Sequence, residues 1–338
     1  MTPLTSALLE AANLAPSAHN TQPWRLRFVG DDQLEVWADL KRALTAADPD
    51  NRDLLHALGT LIENCQLTLA HHGFHADVRY ADQLNAAQPV AVLRWPVSPG
   101  QPVTSELYRM IPIRRTSRIA FSETTVAPGV LTRLQTEVSA PYRLRIITTA
   151  PELALLGKIA AAADLALLQQ PAMCTELRRW LRLSRADPSW YRDGLNAECM
   201  GWSRFEALVA GQLIKPSMVR LLEKLGLARM LLSPLPPSAP AICLLTAPAE
   251  AFVAGRVESG RQLQRVWLAA AAAGLCTHPL SAAVDHEASR AETFRLFGVG
   301  TGEVHVNLFR LGFSPLCAHS HRLPVDEILH EFPWPDHG

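Results

Sequence analysis

An apolar helical run that breaks into a proline-containing loop and passes straight into an alternating strand occurs twice in this chain of 338 residues. In the first copy, residues 4–14 (LTSALLEAANL) carry Leu and Ala at helical spacing. Pro16 ends that run, because proline pushes the preceding residue out of the α region, and residues 25–29 alternate as a strand. In the second copy, residues 131–135 are helical and residues 138–146 run through Pro141 into a strand. A longer pair repeats as well: residues 52–72 and 259–273 read as helices that stop at Gly73 and Gly274. Repetition on this scale predicts a duplicated architecture whose copies have diverged.

The divergence is chemical. The first connector, Ala15–Trp24 (APSAHNTQPW), is a short rigid loop of amide, hydroxyl and aromatic groups with no obvious catalytic acid or base, suited to holding a flat polar ring. Its second copy lacks the Asn and the Gln. The second half instead opens with Arg114-Arg115-Thr116-Ser117-Arg118, followed by Phe121. Guanidinium forks match phosphate oxygens, so this is a plausible phosphate cradle, and equally a solvated basic helix start.

Between these signals, residues 33–38, 77–80, 89–95 and 304–310 read as strands, and Asp50 or Asn51 would cap the helix at 52–72. The Pro/Gly/Ser-rich stretch PVSPGQPV marks a linker. The expected division is a first lobe at 1–98, a linker at 99–111, and a second lobe at 112–183 and 239–338. Residues 184–238, with DPSWYRDG, two helical runs and SPLPPSAP, are an insertion read as a lid or cap, or a dimerisation arm.

Composition removes several functions. Thirty-two basic residues balance thirty-two acidic ones, so net charge gives no argument for nucleic acid or an anionic membrane. The six cysteines form no C-x-x-C, which points to reduced thiols in a cytoplasmic protein. The N-terminus lacks a basic region and carries Glu10, unlike a secretory signal, and no apolar run reaches the roughly 20 residues of a membrane span. His71-His72-x-x-His75 and His319-x-His321 read as exposed or helix-end histidines rather than metal sites. His19 reads as a loop hydrogen-bonding group. Gly298-x-Gly300-x-Gly302 leads into a strand and so lacks the context of a dinucleotide fingerprint. Trp190, Tyr191 and Trp202 would cover a site or pack the insertion onto the body.

Taken together, APSAHNTQPW, RRTSR with Phe121, Gly274-Leu275-Cys276-Thr277-His278-Pro279-Leu280-Ser281, Arg310-Leu311-Gly312-Phe313 and the closing Ser320–Glu327 resemble the elements of nitroreductase-like FMN proteins. The arginines stand in the second half and the APS loop in the first, an order that resembles the fused, double-lobed, Acg-like branch. The resemblance implies an α+β fold with two pseudo-symmetric lobes in one chain, each a mostly antiparallel sheet flanked by helices, plus a helical lid insertion. One chain would imitate a dimer, leaving further dimerisation open, and would bind one FMN.

Carried over position by position, Arg114, Arg115, Ser117 and Arg118 would hold the phosphate and ribityl end, joined by Arg322. Ser17, Ala18 and Asn20 would reach the flavin, with Gln22 bracing the loop. Pro279, Leu280, Ser281 and Ala282 would border the ring with backbone donors, although Ser281 and Ala282 stand where the family commonly has Glu and Gly. The implied activity is ping-pong transfer from NAD(P)H through FMN to a quinone or nitroaromatic acceptor, with the chemistry carried by the flavin. The alternative is an FMN storage or sensing protein with a closed lid.

Overall fold

The computed structural model describes residues 2–232, 239–249, 252–315 and 318–329. Its first lobe runs α1 (Pro3–Asn13), β1 (Trp24–Val29), β2 (Gln33–Ala38), α2 (Arg52–His71), β3 (Asp77–Tyr80) and β4 (Ala91–Arg94). The strands form an antiparallel sheet in the order β1-β2-β4-β3. Alternation in β2 sends Leu34 and Val36 into a core shared with Leu8 and Leu9 of α1 and Leu58, Leu61 and Ile62 of α2. The opposite face carries Glu35, which accepts hydrogen bonds from Arg27, Gln33 and Trp37. Capping of α2 differs from expectation. Asn51 adopts a left-handed backbone (φ 53°) and makes no side-chain cap. Asp48 takes that role instead, its Oδ2 accepting the Leu54 N–H at 2.9 Å, because the turn closed by Asn51 N–H to Asp48 C=O folds Asp48 back over the helix end.

The second lobe begins with α3 (Glu106–Met110), α4 (Pro128–Thr136) and β5 (Arg143–Ile147). A helical stretch follows: α5 (Ala150–Leu168), α6 (Pro171–Trp180), the short parallel pair β6 (Leu181–Arg182) and β7 (Leu195–Asn196), α7 (Arg204–Leu213), α8 (Pro216–Lys224) and α9 (Ala228–Leu232). The lobe then resumes with β8 (Ala241–Pro248), α10 (Val253–Ala272), β9 (Cys276–Pro279), α11 (Ala282–Asp285), α12 (Glu287–Phe297) and β10 (Glu303–Gly312), and the described chain closes on α13 (Val325–Ile328). Here the antiparallel order is β5-β8-β10-β9, which repeats the first sheet strand for strand. Helices α4 and α10 cover one face, where Leu134, Leu263 and Val266 meet Cys243, Leu245 and Phe309. Helices α5, α11 and α12 cover the other, where Leu156, Ile159, Val284 and Phe297 meet Ile242, Leu244 and Leu308. Two small cores of their own support α6–α9, one around Cys174, Val219 and Leu222 and one around Trp190, Ala197 and Ala207. Most of SPLPPSAP, residues 233–238, lies outside the described residues.

The lobes are joined by α2 and α10, which cross at glycine. Gly59 and Gly260 are each the eighth residue of their helix. A Cβ on Gly59 would stand 1.9 Å from Val257 O, and one on Gly260 2.0 Å from His56 O. His56 and Val257 are themselves each the fifth residue of their helix, so the crossing is two-fold symmetric. Helix α10 starts at Val253, six residues before the apolar pattern suggested, because Arg256 and Glu258 interrupt that pattern in its first turns. Beyond β10 the chain returns to the first lobe, where Ile328 enters the core and Leu329 bridges Leu26. That return carries Arg322 to the decapeptide.

Candidate functional site

Three distant segments meet in one cleft between the lobes. Pro16, Ser17 and Asn20 come from the decapeptide, Arg114, Arg115, Thr116 and Arg118 from the arginine segment, and Ala318, His319, Ser320 and Arg322 from the return. The cleft has about 420 Å³ of open space, counting the part continuous with solvent. Four arginines line it, and among the described residues no carboxylate does.

The decapeptide is held in an unusual shape. His19, Asn20 and Gln22 all have positive φ, at 49°, 54° and 50°. Such backbone is costly for residues with a Cβ, so other bonds must enforce it. Gln22 enforces it from beneath: its Nε2 donates to Asn20 O and Arg192 O, its Oε1 accepts the Leu323 N–H, and its own N–H donates to Ser17 Oγ. Asn20 donates from Nδ2 to Gly194 O and His321 O and accepts at Oδ1 from Arg322 Nη1 at 2.9 Å. The amide of Asn20 is thereby spent on the protein, and what it offers the cleft is shape.

Arg322 is spent in the same way. Its Nε donates to Asn13 O at 2.6 Å, Nη1 to Asn20 Oδ1, Ser320 O and His321 O, and Nη2 to Leu14 O and Ala15 O. Every acceptor is neutral. Burial lowers its pKa to about 10, so it stays cationic at neutral pH and brings a charge without a carboxylate beside it. The expectation that Arg322 grips phosphate with its forked donors is corrected: it organises the loop and contributes field.

In the arginine segment, Thr116 bridges Thr277 in parallel and the Ser117 N–H donates to Thr277 O at 3.0 Å. Extended backbone turns alternate side chains to opposite sides. Thr116 and Arg118 therefore line the cleft, while Ser117 is fully buried and pairs with Ser314 Oγ at 2.6 Å. Arg114 lies over the Trp267 ring at 5.8 Å. Within the cleft wall, the buried atoms Arg114 Nε and Nη1, Arg115 Nε and Arg118 Nη1 have no hydrogen-bond acceptor among the described residues, although each side chain has other contacts. A donor set of this kind fits a phosphate.

The remaining expected site residues lie elsewhere. Ala18 lines a neighbouring cavity with Thr21, Arg42, Asp48 and Asp53. Pro279, Leu280, Ser281 and Ala282 follow β9 and stand outside the cleft wall. Leu280 packs in the core and its N–H donates to Leu308 O at 2.7 Å, so it has no donor left for a ring. Residues that sequence reasoning passed over are Thr116, His319 and the strap Arg192–Gly194. His319 lines the cleft, and burial, then Arg115, Arg322 and Arg114, hold its pKa below 6.5. The strap is pinned by Arg42 and Arg182, both paired with Asp193, and by Arg192 paired with Glu327. Alternation along residues 114–118 could have selected Thr116; nothing local marks the strap.

No model of a known protein family matches the chain. Two Mycobacterium tuberculosis H37Rv proteins, each named "Putative NAD(P)H nitroreductase", are similar to it. Rv3131 is 28% identical, across 97% of this chain and 91% of its own length. The second, acg, is 31% identical across 47% of this chain and 49% of its own. These relatives are of the nitroreductase-like kind that the sequence motifs resemble. The chain's α+β fold, two lobes each with an antiparallel sheet flanked by helices, is the one the sequence resemblance implies. A solved FMN-bound nitroreductase from Desulfitobacterium hafniense covers 67% of this chain and 97% of its own at 14% identity, with a TM-score of 0.38, too loose a match to place any residue. Among the described residues, no helix is long and apolar enough to cross a membrane.

Proposed function

We propose that the cleft holds the phosphate end of FMN and that the chain passes electrons from NAD(P)H to a small electron-poor acceptor of the quinone or nitroaromatic class. The observation that carries this reading is the make-up of the cleft: four arginines drawn from two segments converge beside Ser17 and Thr116, and Arg322 is a buried cation whose acceptors are all neutral. A multiply charged anion would relieve that arrangement, and dianionic phosphate is the group in FMN that can do so. The likeness to relatives named as NAD(P)H nitroreductases supports the donor.

Bound FMN would supply hydride acceptance and delivery, which explains why no acid–base pair is needed in the loop. Arg114, Arg115 and Arg118 bind the phosphate, with the Thr116 and Ser17 hydroxyls at its edge. Asn20, Gln22 and Arg322 keep the decapeptide in its left-handed form. Ser281 and Ala282 border the ring through their backbone N–H groups. In this reading the lobes are residues 1–98 and 112–183 with 239–338, and 184–238 acts as lid.

The test is cofactor content. Replacing Arg114 and Arg118 together by Ala removes two charge-assisted contacts of roughly 1.5–3 kcal/mol each, enough to weaken FMN by at least about a hundredfold. A double variant that purifies with full flavin content overturns the assignment.

A second reading, FMN held for storage or sensing, is favoured by one observation. The strap is tied to the decapeptide itself through Asn20 with Gly194 and Gln22 with Arg192. Anaerobic mixing with NADH and with NADPH separates the two. Bleaching of the flavin within seconds supports the oxidoreductase; colour that persists with both donors but disappears with dithionite supports storage.

A further inference from the structure

His19 lies in the chain between a residue that lines the anion cleft and one that lines the cavity beside it. Its neighbours in the chain face different ways: Asn20 lines the cleft, while Ala18 lines the second cavity, of about 200 Å³ including its open part. The charges that act on the imidazole divide likewise. Arg118 belongs to the cleft, Asp53 of α2 to the second cavity, and Glu176 reaches in from α6. Glu176 is itself held by the Ala46 and Ala47 N–H groups at 3.0 and 2.8 Å.

Two features set His19 apart from the other left-handed residues of this loop. Asn20 and Gln22 offset their backbone strain with several side-chain hydrogen bonds each. The Nδ1 of His19, in contrast, is buried and meets no hydrogen-bond partner among the described residues. The expected loop hydrogen bond is therefore not made by that atom. A buried ring nitrogen left in this state costs free energy that a ligand can recover. Burial, and after it Arg118, hold the imidazole below its ordinary pKa, so at neutral pH it is uncharged and offers one donor and one acceptor.

We propose that His19 is a positioning residue that hydrogen-bonds the planar heterocycle of a ligand whose phosphate is held by Arg114, Arg115 and Arg118. This rests on the FMN reading above and goes beyond it by assigning the ring contact to a side chain of the decapeptide. The two cavities are then one elongated site, with the anion at the arginine end and the heterocycle alongside His19. A neutral imidazole suits that task, because it can turn either a donor or an acceptor toward a ring that presents both.

The experiment is a nitrogen–proton correlation spectrum of the full chain labelled at histidine, with the His19 signals identified by their loss in His19→Gln. Inorganic phosphate, riboflavin and FMN are added separately. FMN and riboflavin are expected to shift the His19 ring nitrogens and fix one tautomer, while inorganic phosphate leaves them in place. In parallel, His19→Ala should weaken FMN about tenfold, or about 1.4 kcal/mol, and shift the visible flavin band, with inorganic phosphate affinity unchanged. Bound FMN that leaves the His19 resonances unmoved overturns the proposal, as does a His19→Ala variant with wild-type affinity and spectrum. Failure of FMN to bind the unaltered chain overturns the cleft assignment and this inference with it, a result separable from the other two.

Discussion

Gly59→Ala tests whether the helix crossing is what brings the two halves of the cleft together. In an isolated helix this change is favourable by about 1 kcal/mol, since Gly is the poorer helix former. Here the added Cβ would lie 1.9 Å from Val257 O, 2.9 Å from Arg261 N and 2.9 Å from Gly260 Cα. All three are backbone atoms, so no side chain can swing aside. Restoring ordinary contact requires α2 and α10 to separate by roughly an ångström or more. The cost of such overpacking is about 1–3 kcal/mol and often more where only backbone can move, so the net change should be destabilising by about 2 kcal/mol or more. Ser17 and Asn20 ride on one lobe and Arg114–Arg118 on the other, so FMN affinity should fall with stability. Urea unfolding and flavin fluorescence titration measure the two effects. A Gly59→Ala protein that is more stable than the parent and binds FMN unchanged would refute the crossing as drawn.

Two further outcomes follow from the same region. Unfolded, His56 takes up a proton below about pH 6.5; folded, burial first, and after it Arg52, His305 and Arg256, hold it neutral down to about 3, against the pull of Asp53. The unfolded state thus binds more protons in that window, and stability falls as pH drops through it, by at most about 1.4 kcal/mol per unit. Comparing His56→Asn with the parent by thermal unfolding from pH 7 to 4 should show a shallower acid limb in the variant; parallel limbs would contradict it. Flavin released by heat and counted against protein should give one FMN per chain, and two would contradict the asymmetry of the halves.

Much of this was readable from local chemistry. The decapeptide stands out by its amides beside Pro-Trp and the arginine cluster by guanidiniums in a row, although the cluster by itself reads equally as a solvated helix start. The repeated helix–strand plan was visible because both copies keep the same order of breakers. Roles that depend on what lies opposite were less readable. Arg322 looked like a phosphate ligand until six carbonyl and amide oxygens were found around it. Ser117 looked like one until alternation turned it toward Ser314. Leu280 kept its N–H for Leu308, a partner 28 positions away that no local pattern reveals. His19 is a case of the same kind: that its Nδ1 lacks a partner among the described residues is a property of the packed neighbours.

The symmetry of the crossing also distinguishes the side proposed to take an anion from its counterpart. On α2, Asn64 donates to Ala11 O at the end of α1 and accepts from Gln264, while Thr60 donates to Pro16 O beneath the decapeptide. The matching positions on α10, the ninth and the thirteenth residues, are Arg261 and Arg265. Arg265 donates to Glu137 O just after α4, as Asn64 does to Ala11, but it also pairs with the carboxylates of Glu137 and Glu63. Arg261 pairs with Glu63 and Glu258 and hydrogen-bonds Tyr80. Where α2 has Thr60 and Asn64, α10 therefore has two cations set among three carboxylates. Charge there is balanced within the protein, so a phosphate would have to displace an existing ion pair to enter. Among the described residues, the cleft is lined by four arginines with hydroxyl, amide and imidazole groups. An amide pair stands at one end of the crossing and an ion-pair network at the other, and the end with the amide pair is the one that adjoins the proposed ligand site, from one helix plan used twice.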